Sequence, residues 1–397
     1  MSLVHKIVSP SGLPLAKAMA FYLLALPLMA LLSGCGSRNT ASIARRRVPA
    51  QNVSKKSANE YVGSEACAEC HASEFKAQSR SRHWNALRPM DLESLGAQSP
   101  PVGPIHGTPF SLALAGDGFA FGFTGGEMHR LDLAFGSGKT AMAFTTVLDN
   151  DTMAEARFNY DPRSKRWFIT PGDTGLPPDR LGITSKGAAA RDCFPCHTVT
   201  TSLHSLMPEP RFMGVRCEAC HGPGGAHVAA MSTGDLRHSH MADLSAASAE
   251  QIVALCGRCH HTNRDVAAKH FSKAHTDFFQ ALGIQESQCY LKTSNRLSCI
   301  TCHDPHTDVN TDEKHYTPIC LQCHSAAAHP GAVAQGKSCP VSPMKNCTGC
   351  HMPARAEPLY PGSTRTMADH FIRVYPQDIE SFSLSEHSPA ASNRKRH

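Results

Sequence analysis

Seven stretches of the chain share the spacing C-x-x-C-H, and this pattern sets the chemistry that the sequence can support. The seven sets are Cys67/Cys70/His71, Cys193/Cys196/His197, Cys217/Cys220/His221, Cys256/Cys259/His260, Cys299/Cys302/His303, Cys320/Cys323/His324 and Cys347/Cys350/His351. From the Cys and His content, roughly 0.04 such matches are expected by chance. Two thiols at this spacing can bond to the two vinyl groups of one haem, while the adjacent imidazole binds the iron. The pattern therefore predicts seven covalently attached haems c.

The number of motifs also limits the architecture. About one haem for every 57 residues is too dense for two or three ordinary domains with apolar cores. The sequence contains 29 Gly and 27 Pro and only 7% aromatic residues, which favours loops and short helices around cofactors. We therefore predict an α+β multihaem cytochrome, mostly short helices and loops wrapped around haems, with a small antiparallel β insert.

The formal net charge of +6 does not indicate a nucleic-acid partner. Each haem carries two propionates, so seven haems shift the charge by roughly −7 when oxidised and −14 when reduced. The arginines and lysines are better explained as partners of these propionates. The sequence thus predicts no nucleic-acid binding.

The N-terminal residues have the features of an export signal. Lys6 and Lys17 precede an apolar run from Ala18 to Leu32, which is too short to cross a bilayer comfortably. The following Leu32-Ser33-Gly34-Cys35 resembles the bacterial lipobox, and the resemblance implies lipidation of Cys35 and anchoring to a bacterial membrane, facing the periplasm or exterior. The alternative is an ordinary signal peptide with an incidental cysteine.

The remaining chain divides by composition and by the positions of the motifs. The expected segments are 1–34 lipoprotein signal peptide, 35–60 flexible tether, 61–99 first haem segment, 100–180 haem-free β-rich insert, 181–374 six-haem region and 375–397 disordered tail.

The insert shows the alternation of apolar residues that is typical of strands. Residues 110–123 alternate around Gly116-Asp117-Gly118, which predicts a hairpin. Further alternating runs at 143–148, 156–160 and 166–170 extend the prediction to a sheet of four to six strands. Gly136-Ser137-Gly138-Lys139 is not a phosphate-binding loop, because Leu133 stands where that motif needs its first glycine.

Four segments resemble the cytochrome c-552/554-type multihaem cytochromes, namely 61–71, 217–227, 287–306 and 339–353. The resemblance implies an electron-transfer protein in which histidines outside the motifs bind the distal face of each haem. It makes His83 such a ligand, because Ser81-Arg82-His83 follows the first motif. It does the same for His227, at the end of C-E-x-C-H-G-P-G-x-x-H, and for His370. Seven haems exceed the four of the best-known members, so their complete ligand set does not transfer.

The reach of the chain restricts which iron each distal histidine can bind. Two histidines on one iron have Cα atoms roughly 12–13 Å apart, whereas three residues span at most about 10 Å. His306 therefore cannot complete the haem of His303 and must bind another. His227 lies at most about 20 Å from His221 along the chain, but it must pass around the haem edge, so it too is expected to serve a neighbouring haem. For His129, in the insert, a distal ligand and a plain strand histidine are equally open readings.

Two cysteines besides Cys35 lie outside the motifs. Cys289 and Cys339 each precede a motif by about ten residues. In an oxidising compartment we expect a disulfide between them, and two free buried thiols are the alternative.

Three functional classes fit the cysteine pattern to different degrees. The favoured one is an electron carrier with histidines on both faces of each iron, whose partners are a quinol-linked donor or other cytochromes. The second is an oxidoreductase for nitrite, hydroxylamine or a similar small substrate, which needs one iron with an open face. Structural zinc or disulfide sites form the third, and the histidine after every C-x-x-C argues against them.

Overall fold

The fold is taken from a computed structural model that describes residues 59–235, 241–269, 271, 276, 278–293, 296–325, 346–356 and 366–375. These residues all lie in one compact unit, Val53–His397. The predicted signal peptide, Cys35, almost all of the tether, Cys339 and nearly all of the C-terminal tail lie outside the described residues. None of the described helices is long and apolar enough to cross a membrane.

The described helices are short, as the dense packing of motifs predicts, and the longest have 12 residues. They are Glu65–Ala68, Ala72–Gln78, Leu92–Leu95, Ala188–Arg191, Phe194–His197, Cys217–His221, Gly225–Ser232, Ala249–His260, Asn263–Lys269, Gln280–Glu286, Gln288–Lys292, Glu313–His324 and Cys347–His351.

The strands form antiparallel sheets, so the mixed α and β class is confirmed. In chain order they are β1 Leu87–Pro89, β2 Gly103–Pro104, β3 Phe110–Ala115, β4 Gly118–Phe123, β5 Met128–Leu131, β6 Leu133–Phe135, β7 Ala143–Val147, β8 Thr152–Glu155, β9 Phe158–Asp161, β10 Arg166–Ile169, β11 Thr184–Lys186, β12 Ala354–Ala356 and β13 Thr366–Ala368.

The β-rich part is larger than the sequence predicts. It contains a five-stranded sheet in the order β1-β6-β7-β8-β11, a four-stranded sheet β2-β3-β4-β5 and a ribbon of β9 and β10. The strands run from Leu87 to Lys186, beyond the expected 100–180 on both sides. The additional strands β1, β2, β5, β6, β8 and β11 have two to four residues, too few to show an alternating pattern, and each forms by backbone pairing with a neighbouring strand.

The hairpin predicted at 110–123 is present. β3 and β4 pair from Phe110 opposite Phe123 to Ala115 opposite Gly118, leaving Gly116 and Asp117 as a two-residue turn. Gly116 has φ +64°, which a two-residue hairpin turn requires and which glycine adopts without strain. The alternating aromatic residues of this hairpin lie in the main apolar core, with Phe110 and Phe119 almost completely buried.

A second apolar cluster joins the five-stranded sheet to the second C-x-x-C-H motif. Leu87, Leu133 and Phe135 of the sheet pack with Ala190 and Phe194, which flank Cys193. The β-rich part therefore packs directly against the second motif. A third cluster packs helix Ala249–His260 on helix Gln280–Glu286 through Val253, Ala281 and Ile284.

Candidate haem centres

The C-x-x-C-H motifs lie on single turns or at the ends of helices. Helices Phe194–His197, Cys217–His221 and Cys347–His351 contain a motif or most of one, and Ala249–His260 and Glu313–His324 end in one. The first motif begins within helix Glu65–Ala68, and the fifth begins with a 3-10 turn at Cys299–Thr301. Residues three apart share a face of a helical turn, so both thiols can reach one macrocycle.

The motif cysteines differ in their exposure to solvent, although the sequence predicts the same role for all of them. Ten are half-buried, whereas Cys70, Cys193, Cys323 and Cys350 are exposed. Cys70, Cys323 and Cys350 are each the second cysteine of a motif, and the turn that carries each one lies at the surface of the chain. Haem attachment at all fourteen motif cysteines stays a prediction.

Four imidazole pairs face each other across the motifs. The ring centroids lie 6.3 Å apart for His71 and His227, 6.2 Å for His83 and His260, 6.3 Å for His221 and His306, and 6.2 Å for His303 and His370. Two metal–nitrogen bonds of about 2 Å, plus the half-width of each ring, span about 6 Å. The residues thus fit an iron atom between the two rings of each pair.

Each pair combines one motif histidine with one histidine from elsewhere in the chain. The four partners are His83, His227, His306 and His370, which are the distal ligands expected from the sequence. His306 faces His221 rather than the nearby His303, and His227 faces His71 rather than His221. Each pair therefore links two segments distant in sequence.

Hydrogen bonds fix the orientation of several of these rings through Nδ1. His370 Nδ1 lies 2.9 Å from the carbonyl oxygen of Ala368, and His260 Nδ1 lies 3.0 Å from Oε1 of Gln280. His306 Nδ1 lies 3.1 Å from Oδ1 of Asp304. An acceptor at Nδ1 places the proton there and leaves Nε2 free for a metal, as is usual for ligating histidines.

Burial keeps several of these imidazoles neutral. It lowers the pKa of His197, His221 and His303, and that of His370 to about 4, although the Ala368 carbonyl opposes the last shift. A neutral imidazole is the form that binds a metal, so these rings can bind iron at neutral pH without first losing a proton.

Cysteines of different motifs lie next to one another. Thiol pairs in hydrogen-bonding contact are Cys67/Cys217, Cys196/Cys259, Cys256/Cys299 and Cys320/Cys347. Cys220/Cys256 and Cys302/Cys320 are close enough to interact electrostatically. The second and fourth motifs also touch through Cys259 Sγ, which lies 3.9 Å from the carbonyl oxygen of Pro195.

The remaining motif histidines have different surroundings. Within the described ranges, His197, His324 and His351 face no second imidazole at the distance of the four pairs. His197 is held by a 2.9 Å hydrogen bond from Nδ1 to the carbonyl oxygen of Ala86, and its ring packs edge-on at 5.2 Å from Phe135. His351 Nδ1 lies 2.9 Å from the carbonyl oxygen of Arg373.

The other sites expected from the sequence stay predictions. His129 lies on β5 opposite Phe121, half-buried, and is not a member of the four facing pairs. Cys289 is half-buried in helix Gln288–Lys292, but Cys339 is outside the described residues, so their disulfide remains a prediction. The same holds for lipidation of Cys35.

Three contributors to these sites have a role that the sequence did not predict. Phe135 comes from a strand too short to be predicted. Asp308 and Glu218 are single carboxylates whose backbone partners lie far away along the chain. Glu218 is the Glu of the C-E-x-C-H-G-P-G-x-x-H segment, but that resemblance gave it no role.

Comparison with known proteins gives the following matches. The family model described as "Cytochrome c554 and c-prime" matches residues 179–222. A curated relative, the multiheme cytochrome MtrA of Shewanella baltica (strain OS185), is 23% identical over 180 residues, which are 36% of this chain and 54% of the relative. The chain thus spans about half the length of this relative.

Two solved structures are similar in outline. The structure titled "Crystal Structure of Outer Cell Wall Cytochrome OcwA" has a TM-score of 0.45 and 16% identity, with 79% of each chain covered. The undecaheme cytochrome from the S-layer of Carboxydothermus ferrireducens has a TM-score of 0.42 and 19% identity, with 81% of this chain and 53% of that chain covered.

The stretch matched by the family model contains two complete C-x-x-C-H motifs, Cys193–His197 and Cys217–His221. His221, in the second of them, is also one member of a facing histidine pair. The sequence match and the geometry therefore coincide on the same residues, and the resemblance of this chain to the multihaem c-type cytochromes is confirmed.

Proposed function

We propose that this chain transfers electrons along seven covalently bound haems c. The observation that carries the proposal is the set of four facing histidine pairs at 6.2–6.3 Å. Such pairs cap both faces of an iron, which leaves no position for a substrate and favours a low-spin iron that changes little on reduction. When bound, haem c supplies a reversible one-electron couple.

Different residues of the chain attach each haem, bind its iron and orient the binding histidines. The two cysteines of a motif attach the macrocycle, and the motif histidine binds the iron from the same side. His83, His227, His306 and His370 bind the opposite face at four of the sites. Hydrogen bonds at Nδ1 hold His306 and His370 in orientation, so little rearrangement of these two rings accompanies a change of charge.

Contacts between motifs support one continuous path. The first motif touches the third, the third lies beside the fourth, and the fourth touches the fifth. The fifth lies beside the sixth, and the sixth touches the seventh. The second motif touches the fourth, which makes the fourth a branch point. Electrons passing between the two ends of the chain would cross this branch.

We also propose the location and partners that the N-terminal sequence implies. Lipidation at Cys35, followed by the 35–60 tether, would hold the six-haem region and the first haem segment at an extracytoplasmic membrane surface. A quinol-linked donor or another cytochrome would exchange electrons with it there. Mass spectrometry of the mature N-terminus tests whether Cys35 carries a lipid. The variant Cys35→Ala should no longer be found in the membrane fraction.

The alternative function is an oxidoreductase with one open iron, and one site favours it. His197 packs against Phe135, and within the described ranges no histidine faces it. A distal face without a histidine would leave room for a small ligand. In that case the five-stranded sheet would line a substrate site at the second motif.

Low-temperature EPR of the ferric protein, quantified against total haem c, distinguishes the two functions. The carrier is supported if every haem is low-spin. The oxidoreductase is supported if about one haem in seven is high-spin and responds to nitrite, hydroxylamine or cyanide. Absence of any haem-c band in the pyridine haemochrome spectrum would contradict both.

A further inference from the structure

Glu218 is a carboxylate in an unusual position, buried inside the third C-x-x-C-H motif. Only 2% of its surface is exposed. Its Oε1 accepts hydrogen bonds from the backbone N–H groups of Val62 at 3.0 Å and Gly224 at 2.7 Å, and its Oε2 accepts one from Gly63 at 2.8 Å. In the described part of the chain, no cationic side chain forms an ion pair with it.

The three donors belong to the two segments that build one facing pair. Val62 and Gly63 lead into helix Glu65–Ala68 and so into the first motif, which ends at His71. Gly224 immediately precedes helix Gly225–Ser232, which carries His227. One carboxylate thus holds the beginning of both segments whose histidines face each other at 6.3 Å.

Further contacts between the same segments show how closely they are joined at this point. The backbone N–H of Gly225 donates to the carbonyl oxygen of Glu60 at 2.9 Å, and that of Cys217 donates to Oγ of Ser64 at 3.3 Å. A Cβ at Gly224 would lie 3.2 Å from Glu218 Oε1, so a larger residue there would press on the carboxylate.

The charge of Glu218 also lies close to two attachment sites. The carboxylate is near enough to Cys67 and Cys217 to interact with both thiols electrostatically. A buried negative charge beside an iron centre favours the ferric form, because ferrous iron carries one positive charge less. Three N–H groups satisfy the carboxylate as hydrogen-bond donors, but they do not neutralise its charge.

We propose that Glu218 is a positioning residue for the His71–His227 pair and that its buried charge lowers the reduction potentials of the first and third haems. This inference rests on the proposed electron-transfer function, and it assigns these two haems to the low-potential part of the path. Neither role follows from the C-x-x-C-H pattern, in which the residues between the cysteines are free to vary.

Two substitutions separate the charge from the hydrogen bonds. Glu218→Gln keeps the length of the side chain but removes the charge, and its NH₂ group opposes an N–H donor. Glu218→Asp keeps the charge but is one methylene shorter, so at least one hydrogen bond is lost. Glu209→Gln is the matched control, because Glu209 is exposed and its ion pair with Arg211 lies on the surface.

The experiment is a spectroelectrochemical titration combined with quantitative low-temperature EPR of the full-length, haem-loaded variants. We expect Glu218→Gln to raise the potentials of two of the seven couples and to alter the low-spin signal of one haem. Glu218→Asp should alter the same signal while leaving the potentials near those of the wild type. Glu209→Gln should change neither.

The outcomes that overturn the inference are distinct from one another. Unchanged potentials and EPR signals in Glu218→Gln would exclude both roles. Should Glu218→Gln fail to fold, an unaltered low-spin signal in Glu218→Asp would exclude the positioning role. The proposed function is tested separately on the wild-type protein. It would be contradicted if the wild-type haems were absent or if one of them were high-spin.

Discussion

The imidazole rings of His221 and His306 lie almost parallel, with planes inclined by 8° and centroids 6.3 Å apart. The planes of His83 and His260 are instead inclined by 71°. The angle between two axial imidazoles sets the splitting of the iron d orbitals. The two sites should therefore give different low-spin EPR signals, which makes the effect of single substitutions assignable.

Replacing His306 with alanine should remove the distal ligand of the third haem. His221 then has no distal partner, so its iron becomes high-spin while the remaining haems are unaffected. We expect a new high-spin EPR signal of about one-seventh of total haem, with loss of the signal typical of parallel rings. His204→Ala is the control, because His204 is exposed and belongs to no facing pair.

The same experiment tests the reach argument. If His306 served the haem of His303, the signal typical of parallel rings would survive in His306→Ala. His370→Ala provides the complementary case, since the structure pairs His370 with His303.

Replacing Gly214 with alanine should disturb the His83 site. Gly214 has φ +84°, and a Cβ there would overlap with the carbonyl oxygen of Trp84, next to His83. We expect a loss of about 2 kcal/mol or more in the free energy of unfolding, together with a shift of the low-spin signal of the His83–His260 pair. Chemical denaturation and EPR measure the two effects.

Gly234→Ala is the matched control for this substitution. Gly234 has φ +79° but no atom within 4 Å of the added Cβ. It should show only the cost of the backbone conformation, about 1 kcal/mol, and no spectral change. Equal effects at the two positions would contradict the role of the Trp84 contact.

Asp308 should couple the β-rich part to two distal histidines. Its Oδ1 accepts the backbone N–H of Arg82 at 2.6 Å, beside His83, and its Oδ2 pairs with Lys139. Asp308 itself lies two residues after His306. We expect Asp308→Ala, which removes both acceptor oxygens, to cost about 1–2 kcal/mol of unfolding free energy and to affect the signals of both histidine pairs.

Lys139→Ala separates the ion pair from the backbone hydrogen bond. Lys139 is partly exposed, so its loss should cost less than about 1 kcal/mol and leave the signals unchanged. If Lys139→Ala and Asp308→Ala have identical effects, the bond to Arg82 contributes nothing measurable.

The contribution of two buried carboxyl groups to stability should decrease as the pH rises towards neutrality. Burial raises the pKa of Glu155 to about 7, with a contribution from the charge of Asp173. Burial also raises the pKa of Asp173 to about 6, against the opposing effect of Arg157. At these two carboxyl groups the folded state therefore keeps protons that the unfolded state has already released, and their contribution to the free energy of unfolding falls between about pH 4 and pH 7.

Urea denaturation across this pH range measures the slope. Glu155→Gln and Asp173→Asn should each flatten it, because the neutral side chains no longer titrate. Glu93→Gln, at an exposed position, should leave it unchanged. A slope that is the same in all four proteins would assign the pH dependence to other groups.

Some of the site follows from local sequence. The C-x-x-C-H spacing predicts the attachment residues, because one helical turn brings both thiols to one side of the chain. The hairpin at 110–123 also follows from local sequence, since alternation and the Gly116-Asp117 turn act within a few residues. The exclusion of His306 from the haem of His303 needed only the length of three residues.

The exposure of individual motif cysteines does not follow from local sequence. Cys70 and Cys67 belong to one motif, yet Cys70 is exposed while Cys67 is half-buried against Cys217. The difference arises because the third motif packs on one side of the first and leaves the other side to solvent. The same spacing therefore gives unequal surroundings to its two thiols.

The sequence by itself determined which residues can attach haem and which histidines are free to act as distal ligands. Only the tertiary structure decided the pairs, placing His306 on His221, His227 on His71 and His83 on His260. The physical reason is that each pair depends on contacts between segments far apart in the chain, such as the hydrogen bonds from Val62 and Gly63 to Glu218. A residue's neighbours along the chain contain no information about which distant segment will pack against it.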